Sequence, residues 1–323
     1  MVREIDRSVR IKVTNDCQWG CEFCHNEGTE IPGDQKYRVS VFLDQEAKNL
    51  PSPMNMPYNP RLIEQIYSLK KLGIQEIHLT GGEPTLHPEL PEITKSLVDN
   101  GFIVKMTTNG QGSSEMMRRL TASGICSIAF SMISLDPVQF LSTQRIKSIP
   151  WARAMIDREV DNILLAKDLG VEVKINTVVL GKHDYPRVNA IREFAQKNGI
   201  KLVLLNSLGD GETAQQAVFD YVESYGQYFG STEFTNNGKG SKHYLLKDSV
   251  GLLDAKYIRP FHPEIVCQGC EHNGLASCVE KFYGVRMEFR GGEPYIRLCI
   301  QKTNERTVMP LAQFLERDIY SKL

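Results

Sequence analysis

Apolar and polar positions along the chain repeat in a strand–helix rhythm over the first 210 residues. Short apolar runs predict strands at residues 10–14, 76–79, 102–107, 127–132, 171–180 and 201–205. Between them, helical spacing predicts helices at residues 61–72, 90–97, 114–122, 151–169 and 185–198. This alternation favours an α/β fold with a parallel sheet and helices outside it, either an open sheet or a barrel. Six strands are fewer than the eight of a closed TIM barrel.

The pattern changes after about residue 210. Residues 215–229 still have helical spacing, but residues 230–242 are rich in Gly, Asn, Ser and Thr and predict a loop. Strand-like runs follow at 285–289 and 295–299, and a closing helix is predicted from Leu311. We therefore expect one domain over residues 1–235 and a C-terminal region over residues 236–323.

Composition narrows the class of protein. Apolar residues make up 41% and charged residues 24% of the chain, and the formal net charge is −1. Such a charge gives no basic field to attract a nucleic acid polymer. The apolar runs are too short to span a membrane, and the first ten residues do not resemble a signal peptide. We expect a cytoplasmic protein, in which clustered cysteines indicate metal binding or catalysis.

Three of the eight cysteines directly follow the first predicted strand, with the spacing Cys17-x3-Cys21-x2-Cys24. Loops at this position carry the chemistry of α/β barrels. Three thiolates can hold three irons of a cubane cluster and leave the fourth iron open. A zinc site completed by His25 is the alternative that the cysteines alone allow.

The segment CQWGCEFC resembles the cysteine motif of the radical S-adenosylmethionine (SAM) superfamily, and residues 80–84 (TGGEP) resemble its GGEP motif. The resemblance implies a [4Fe-4S] cluster at Cys17, Cys21 and Cys24, which cleaves SAM reductively to a 5′-deoxyadenosyl radical. An electron donor such as flavodoxin or ferredoxin would be needed. Phe23 matches an aromatic residue that contacts adenine. Gly81, Gly82 and Glu83 match the SAM-binding loop, where glycine permits close approach of the backbone.

A narrower resemblance, to the GTP 3′,8-cyclase family of molybdenum cofactor biosynthesis, covers nearly the whole chain. It rests on VRIKVTNDC, IHLTGGEPTLHPEL, MTTNG, SIAFSMISLDP and VKINTVVL, and on the C-terminal HPEIVCQGC and YIRLC. It implies a partial, TIM-like (β/α)6 barrel whose open side is covered by a C-terminal region with an auxiliary [4Fe-4S] cluster.

This family also assigns roles to single positions. Besides Phe23 and Gly82, Ser131 and Leu208 match residues that contact SAM. Matches to residues that face the nucleotide are Arg10, Thr108, Lys174 and Arg286, of which Thr108 is also placed in the SAM-binding set. Lys174 lies on an alternating strand, where an inward lysine needs an anionic partner. Asn176 points the same way and is expected at the SAM ribose or beside Lys174.

Four departures from that family concern charge. Glu76, His78, Val203 and Glu288 stand where the cyclases are expected to carry Lys or Arg, and a triphosphate needs dense cationic donors. From these losses we expect a small substrate other than GTP, such as another nucleoside, a sugar or a peptide. A true GTP 3′,8-cyclase is the alternative.

The remaining clustered cysteines have the spacing Cys267-x2-Cys270-x7-Cys278-x20-Cys299. If all four bind, the auxiliary cluster is closed; if Cys278 does not, one iron remains open to substrate. Zinc suits four thiolates equally well, so a non-catalytic zinc-binding protein is a second alternative. Cys126, on an apolar strand, is expected in the core.

Overall fold

A computed structural model describes the fold of residues 2–28, 50–145, 148–248, 250–317 and 319–323. Its centre is a run of six parallel strands in the spatial order β2-β4-β5-β6-β7-β8. These strands are β2 (Ser8–Thr14), β4 (Glu76–Gly81), β5 (Ile103–Thr108), β6 (Ser127–Ser131), β7 (Glu172–Val179) and β8 (Lys201–Asn206). The predicted α/β fold of six parallel strands is therefore confirmed. The sheet is open rather than a closed barrel.

Helices connect these strands and cover one face of the sheet. They are α1 (Pro60–Tyr67), α2 (Leu90–Asp99), α3 (Ser114–Ala122), α4 (Pro137–Ser142), α5 (Ile149–Asp168), α6 (Tyr185–Lys197) and α7 (Gly211–Tyr225). Alternation on β7 shows why the two faces differ. Ile175, Thr177 and Val179 are buried, whereas Lys174 and Asn176 are half-buried on the opposite, inward face.

Further strands extend the sheet at both ends. At one end lie β11 (Leu252–Ile258), which is parallel to β8, then β10 (Lys239–Leu246), β9 (Gly226–Phe234) and β1 (Val2–Glu4). At the other end lie β12 (Val285–Arg290), which is parallel to β2, then β13 (Glu293–Arg297) and β14 (Val308–Pro310), while β3 (Pro53–Met54) pairs with β12. Short helices α8 (Glu264–Cys267) and α9 (Leu311–Glu316) complete the fold.

The predicted loop at residues 230–242 is wrong, because most of it belongs to the antiparallel pair β9 and β10. The turn is confined to the few residues between Phe234 and Lys239. The expected domain boundary near residue 235 falls in this turn and stays a prediction. Among the described residues, no helix has both the length and the apolar character needed to cross a membrane.

The two ends of the sheet meet through side chains. Residues 5–7 connect β1 to β2, and the Asp6 carboxylate pairs with Lys239 of β10 and accepts a hydrogen bond from Asn237 (2.9 Å). The Gly238 N–H donates to the Phe282 carbonyl (3.2 Å), just before β12. The inward faces of β10 and β11 therefore approach those of β2 and β12 and enclose a polar interior.

Candidate active site

The first three cysteines lie in the loop after the carboxyl end of β2. Gln144 anchors this loop: its Nε2 donates to Cys21 Sγ (3.1 Å) and its Oε1 accepts from the Gly20 N–H (3.0 Å). Asn109, just after β5, directs its Nδ2 to Cys17 Sγ (3.8 Å). Donors of this kind favour the thiolate form that binds metal.

The glycine pair at the end of β4 packs against the residues that lead into Cys17. A Cβ atom on Gly82 would lie 2.2 Å from the Asp16 carbonyl oxygen, so no larger residue fits. The Gly82 N–H donates to the Thr14 carbonyl (2.8 Å), and the Glu83 N–H donates to that of Asp16 (2.7 Å). The cysteine loop and the GGEP loop thus form one unit, in which carbonyl groups rather than the Gly82 N–H remain for a ligand.

Glu83 ties this unit to the end of β5. Its buried carboxylate accepts hydrogen bonds from Thr85 N (3.0 Å) and Oγ1 (2.6 Å), from Thr108 Oγ1 (2.5 Å) and from Asn109 N (2.6 Å). Burial raises the pKa of Glu83 even though these hydrogen bonds oppose it. Glu83 and Thr108, both predicted to bind cofactor, therefore contact each other and fix the shape of the loop.

The other predicted SAM residues surround the same carboxyl ends of the strands. Ser131 and Asn176 are register neighbours on β6 and β7, and half-buried Leu208 follows β8. Phe23 packs against an apolar cluster that contains Trp19 and Phe140. The predicted residues thus lie around one end of the sheet.

Three thiols held at this end fit a [4Fe-4S] cluster that leaves one iron open. All eight cysteines lie within the described residues and are thiols rather than disulfides. Cys17, Cys21 and Cys24 are each partly exposed, so their sulfurs are accessible to a cluster. Within the described ranges, no group of three or more His, Cys, Asp or Glu side chains is placed so that it could hold a single metal ion.

The inward faces of the strands carry several basic side chains. Arg10, His78 and Lys105 share one register row across β2, β4 and β5. Lys174 lies on β7 and Lys256 on β11. In the part of the chain that the structure describes, neither Lys174 nor Lys256 has a carboxylate at ion-pair distance. They are therefore available to an anionic ligand.

Tyr283 lies near four cations, of which Arg10 and Lys256 belong to this set. Its ring centroid is 4.8 Å from Lys256 Nζ, 5.1 Å from Arg10 Cζ, 5.8 Å from Arg286 Cζ and 5.9 Å from Lys239 Nζ. Burial, and next the charge of Arg10, lower the pKa of Lys256 to about 8 against the opposing effects of Asp6 and Glu27. Burial, then the charges of Lys256 and Lys105, lower the pKa of Lys174. Both shifts therefore reflect burial first and neighbouring positive charge second.

Glu27, three residues after Cys24, contacts both arginines that were predicted to face the nucleotide. It pairs with Arg10 and accepts a hydrogen bond from Arg286 Nε (2.8 Å), and Arg286 Nη1 also donates to Glu280 (2.8 Å). Burial alone would raise the pKa of Glu27, but Arg10, His25 and Arg286 hold it well below its usual range. Arg10 and Arg286 thus position the cysteine loop, and their contact with substrate stays a prediction.

The second cysteine group lines a cavity of about 840 Å³. Its walls include Cys267, Cys270, Cys278 and Cys299. Burial, and then the neighbouring Cys278 and Cys270, raise the pKa of Cys267 to about 12. Gly28 links this region to the first site, because a Cβ atom there would lie 2.5 Å from Ile300 Cα.

Cys126, which was expected in the core, is instead exposed.

Sequence reasoning missed Glu27, Glu280, Tyr283 and Lys256. The alternation of Leu253, Ala255 and Tyr257 with Asp254 and Lys256 is a strand signal that would have placed Lys256 on an inward face. Glu27 had no such signal, since its partner Arg286 lies 259 positions away in the chain.

The fold and the site define a radical SAM enzyme. A family model described as the Radical SAM superfamily matches residues 11–195, more than half of the chain, and the chain belongs to that superfamily. The non-catalytic zinc protein is therefore not supported.

Within the superfamily, the chain is similar to proteins named probable GTP 3′,8-cyclase. The one from Sulfolobus acidocaldarius is 29% identical over 272 residues (83% of this chain, 77% of the relative). That from Saccharolobus solfataricus is 30% identical over 275 residues (83% and 79%). Among solved structures, SuiB of Streptococcus suis superposes with a TM-score of 0.53 at 14% identity over 91% of this chain and 60% of that one, which shows the fold alone.

These relatives contradict the expectation that the substrate is not GTP. The structure supplies the physical reason why counting lost cations was misleading. Glu288 is buried between Arg290 (2.6 Å) and Arg297 (2.8 Å), which hold its pKa at about 2 against the effect of burial. Glu76 pairs with Lys105 (2.6 Å). Both carboxylates are therefore neutralised locally, while Lys174 and Lys256 keep the interior positive.

His78 does not supply the positive charge that was expected at its position. Its Nε2 lies 2.7 Å from Thr107 Oγ1. Burial, followed by the charges of Arg10, Lys174, Lys256 and Lys239, lowers its pKa well below the ordinary value. The imidazole is therefore neutral at physiological pH, and Val203 is buried.

Proposed function

We propose that this enzyme is a GTP 3′,8-cyclase that binds GTP in the interior between its two cysteine groups. The observation that carries the proposal is the pair Lys174 and Lys256, which lack a carboxylate partner among the described residues and lie on inward faces of the sheet. A triphosphate carries several negative charges and pairs with such cations. The names of the relatives support the same substrate.

In this proposal, Cys17, Cys21 and Cys24 hold the SAM-binding [4Fe-4S] cluster, and the second cysteine group holds an auxiliary one. The cluster and SAM, when bound, supply a 5′-deoxyadenosyl radical that can remove a hydrogen atom. The GGEP loop, Ser131, Asn176 and Leu208 bind SAM and exclude water. The cationic interior holds the nucleotide so that one C–H bond faces SAM. A one-electron donor such as flavodoxin or ferredoxin and a reducing cytoplasm complete the requirements.

The lysine pair makes the substrate testable by calorimetry. We expect Lys174→Gln and Lys256→Gln each to weaken GTP binding about tenfold, equivalent to about 1.4 kcal/mol. Because burial and Arg10 lower the pKa of Lys256 to about 8, affinity in the wild type should fall as the pH rises through that value. Lys256→Arg, which stays charged, should bind GTP with less dependence on pH.

The matched control is Lys71→Gln, because Lys71 is exposed on the outer surface. It should leave the affinity for GTP unchanged. Equal affinities in the wild type and both interior variants would reject the interior as the triphosphate site.

A further inference from the structure

Cys278 is the third of the four clustered cysteines in the C-terminal region. It is buried (8% exposed) and lines the same 840 Å³ cavity as Cys267, Cys270 and Cys299. Spacing alone leaves its role open. The contacts around its sulfur allow a comparison with Cys299.

Cys278 and Cys299 each have backbone N–H groups of the following residues close to their sulfur. The N–H groups of Gln301 and Lys302, two and three residues after Cys299, donate to its sulfur, each at 3.4 Å. Burial raises the pKa of Cys278, and the N–H groups of Lys281 and Glu280, three and two residues after it, lie close enough to its sulfur to oppose that rise. Paired backbone donors of this kind stabilise thiolates that bind a metal or cluster. Both sulfurs therefore have neighbouring backbone N–H groups that favour a thiolate ligand.

The Gln301 side chain holds the segment around Cys278 against the segment that follows Cys299. Its Oε1 accepts hydrogen bonds from the Val279 N–H (2.7 Å) and the Glu280 N–H (3.2 Å), and its Nε2 donates to the Ser277 carbonyl (2.9 Å). Glu280 adds a second brace, because its Oε2 accepts from the Ile300 N–H (3.1 Å). The segment around Cys278 is therefore fixed against the segment after Cys299, which keeps both cysteines at the wall of one cavity.

Glu280 also connects the segments around Cys278 and Cys299 to the first site. Its carboxylate accepts from Arg286 (2.8 Å), which in turn donates to Glu27 (2.8 Å). The cavity is therefore held at a fixed position below the cationic interior. A cluster there would lie beside the proposed nucleotide site, so the number of its protein ligands decides whether iron can contact substrate.

We propose that Cys278 is the fourth thiolate ligand of a [4Fe-4S] cluster held with Cys267, Cys270 and Cys299. Each thiol releases its proton on binding iron. The cluster is then fully ligated by the protein and presents no iron to substrate. The inference rests on the proposed function for the identity of that substrate, and it assigns recognition of GTP to the interior cations and Tyr283 alone.

The experiment isolates the second site by spectroscopy of the full chain. In a Cys17→Ala, Cys21→Ala, Cys24→Ala variant, anaerobic reconstitution should give about four irons per chain at the remaining cysteines. After reduction, its EPR spectrum should not change on addition of cyanide, which binds an open iron, or of GTP. Adding Cys278→Ala should make the spectrum sensitive to cyanide, whereas adding Cys126→Ala should not.

The unmodified second site decides the question even if the Cys278→Ala variant fails to fold. A spectrum that already responds to cyanide or GTP would overturn the proposal, as would one zinc per chain in place of iron. An unchanged, cyanide-insensitive spectrum in a folded Cys278→Ala variant would overturn it too. If GTP does not bind in calorimetry while the second site stays insensitive to cyanide, the proposed substrate fails and the four-thiolate cluster stands.

Discussion

Replacing Cys21 by alanine is expected to reduce the formation of 5′-deoxyadenosine from SAM to background. Cys21 is one of only three thiols in the loop after β2, and its sulfur accepts the hydrogen bond from Gln144 Nε2 (3.1 Å) that anchors this loop. A cluster that already lacks one protein ligand cannot be held by the two that remain. Chromatography of anaerobic reactions with dithionite and SAM measures the product.

The control is Cys126→Ala, which removes an exposed thiol remote in sequence from both cysteine groups. It should retain wild-type SAM cleavage, and its iron content should not change. The Cys21 variant should lose about half of the iron if two [4Fe-4S] clusters are present. Undiminished SAM cleavage by that variant would refute the assignment of the first site.

Replacing Glu27 by glutamine is expected to lower the free energy of unfolding by about 3–5 kcal/mol. The substitution leaves Arg286, whose side chain is only 4% exposed, without one of its two carboxylate partners and removes the partner of Arg10. Buried cations that lose their counter-charge carry the full cost of desolvation. Chemical denaturation of the folded protein measures the change.

The pH dependence of the free energy of unfolding provides a second test of the role of Glu27. Arg10, His25 and Arg286 together outweigh burial and depress the folded-state pKa of Glu27 below its ordinary 4.5. Its contribution to stability is therefore present above pH 4.5 and is lost as the pH falls below that value through the folded-state pKa. Glu27→Gln should remove this part of the acid dependence.

The matched control is Glu293→Gln, which breaks an exposed pair with Arg61 (3.6 Å). Surface pairs contribute about 0–1 kcal/mol, so this variant should lose far less stability. Equal losses in the two variants would show that the buried network around Glu27 does not hold the cysteine loop.

The sequence predicted the local parts of this molecule well because they depend on short-range signals. Hydrophobic spacing located the six parallel strands, and the motifs located Cys17, Cys21 and Cys24 beside the glycine pair. The segment at 230–242 was misjudged because its Gly, Asn and Ser residues are typical of loops. Antiparallel pairing of β10 with β9 and β11, together with the pairing of β11 with β8, makes most of it sheet.

Charge was harder to predict because it depends on partners that are distant in the chain. Glu288 looked like a loss of positive charge, but its neutralisation by Arg290 and Arg297 appears only when β12 pairs with β13. The position of Lys256 at the interior becomes clear only from the pairing of β11 with β8. Arg10 and Arg286 were found as important positions, yet their shared partner Glu27 was not.

The fate of one hydrogen atom tests most directly whether the cysteine loop and the cationic interior act together on GTP. A bond between C3′ and C8 of GTP requires the hydrogen at C3′ to leave. With [3′-²H]GTP, reduced enzyme and SAM, mass spectrometry should find deuterium in 5′-deoxyadenosine. Cleavage of SAM that yields only unlabelled 5′-deoxyadenosine, with GTP unconsumed, would contradict the proposed substrate and reaction.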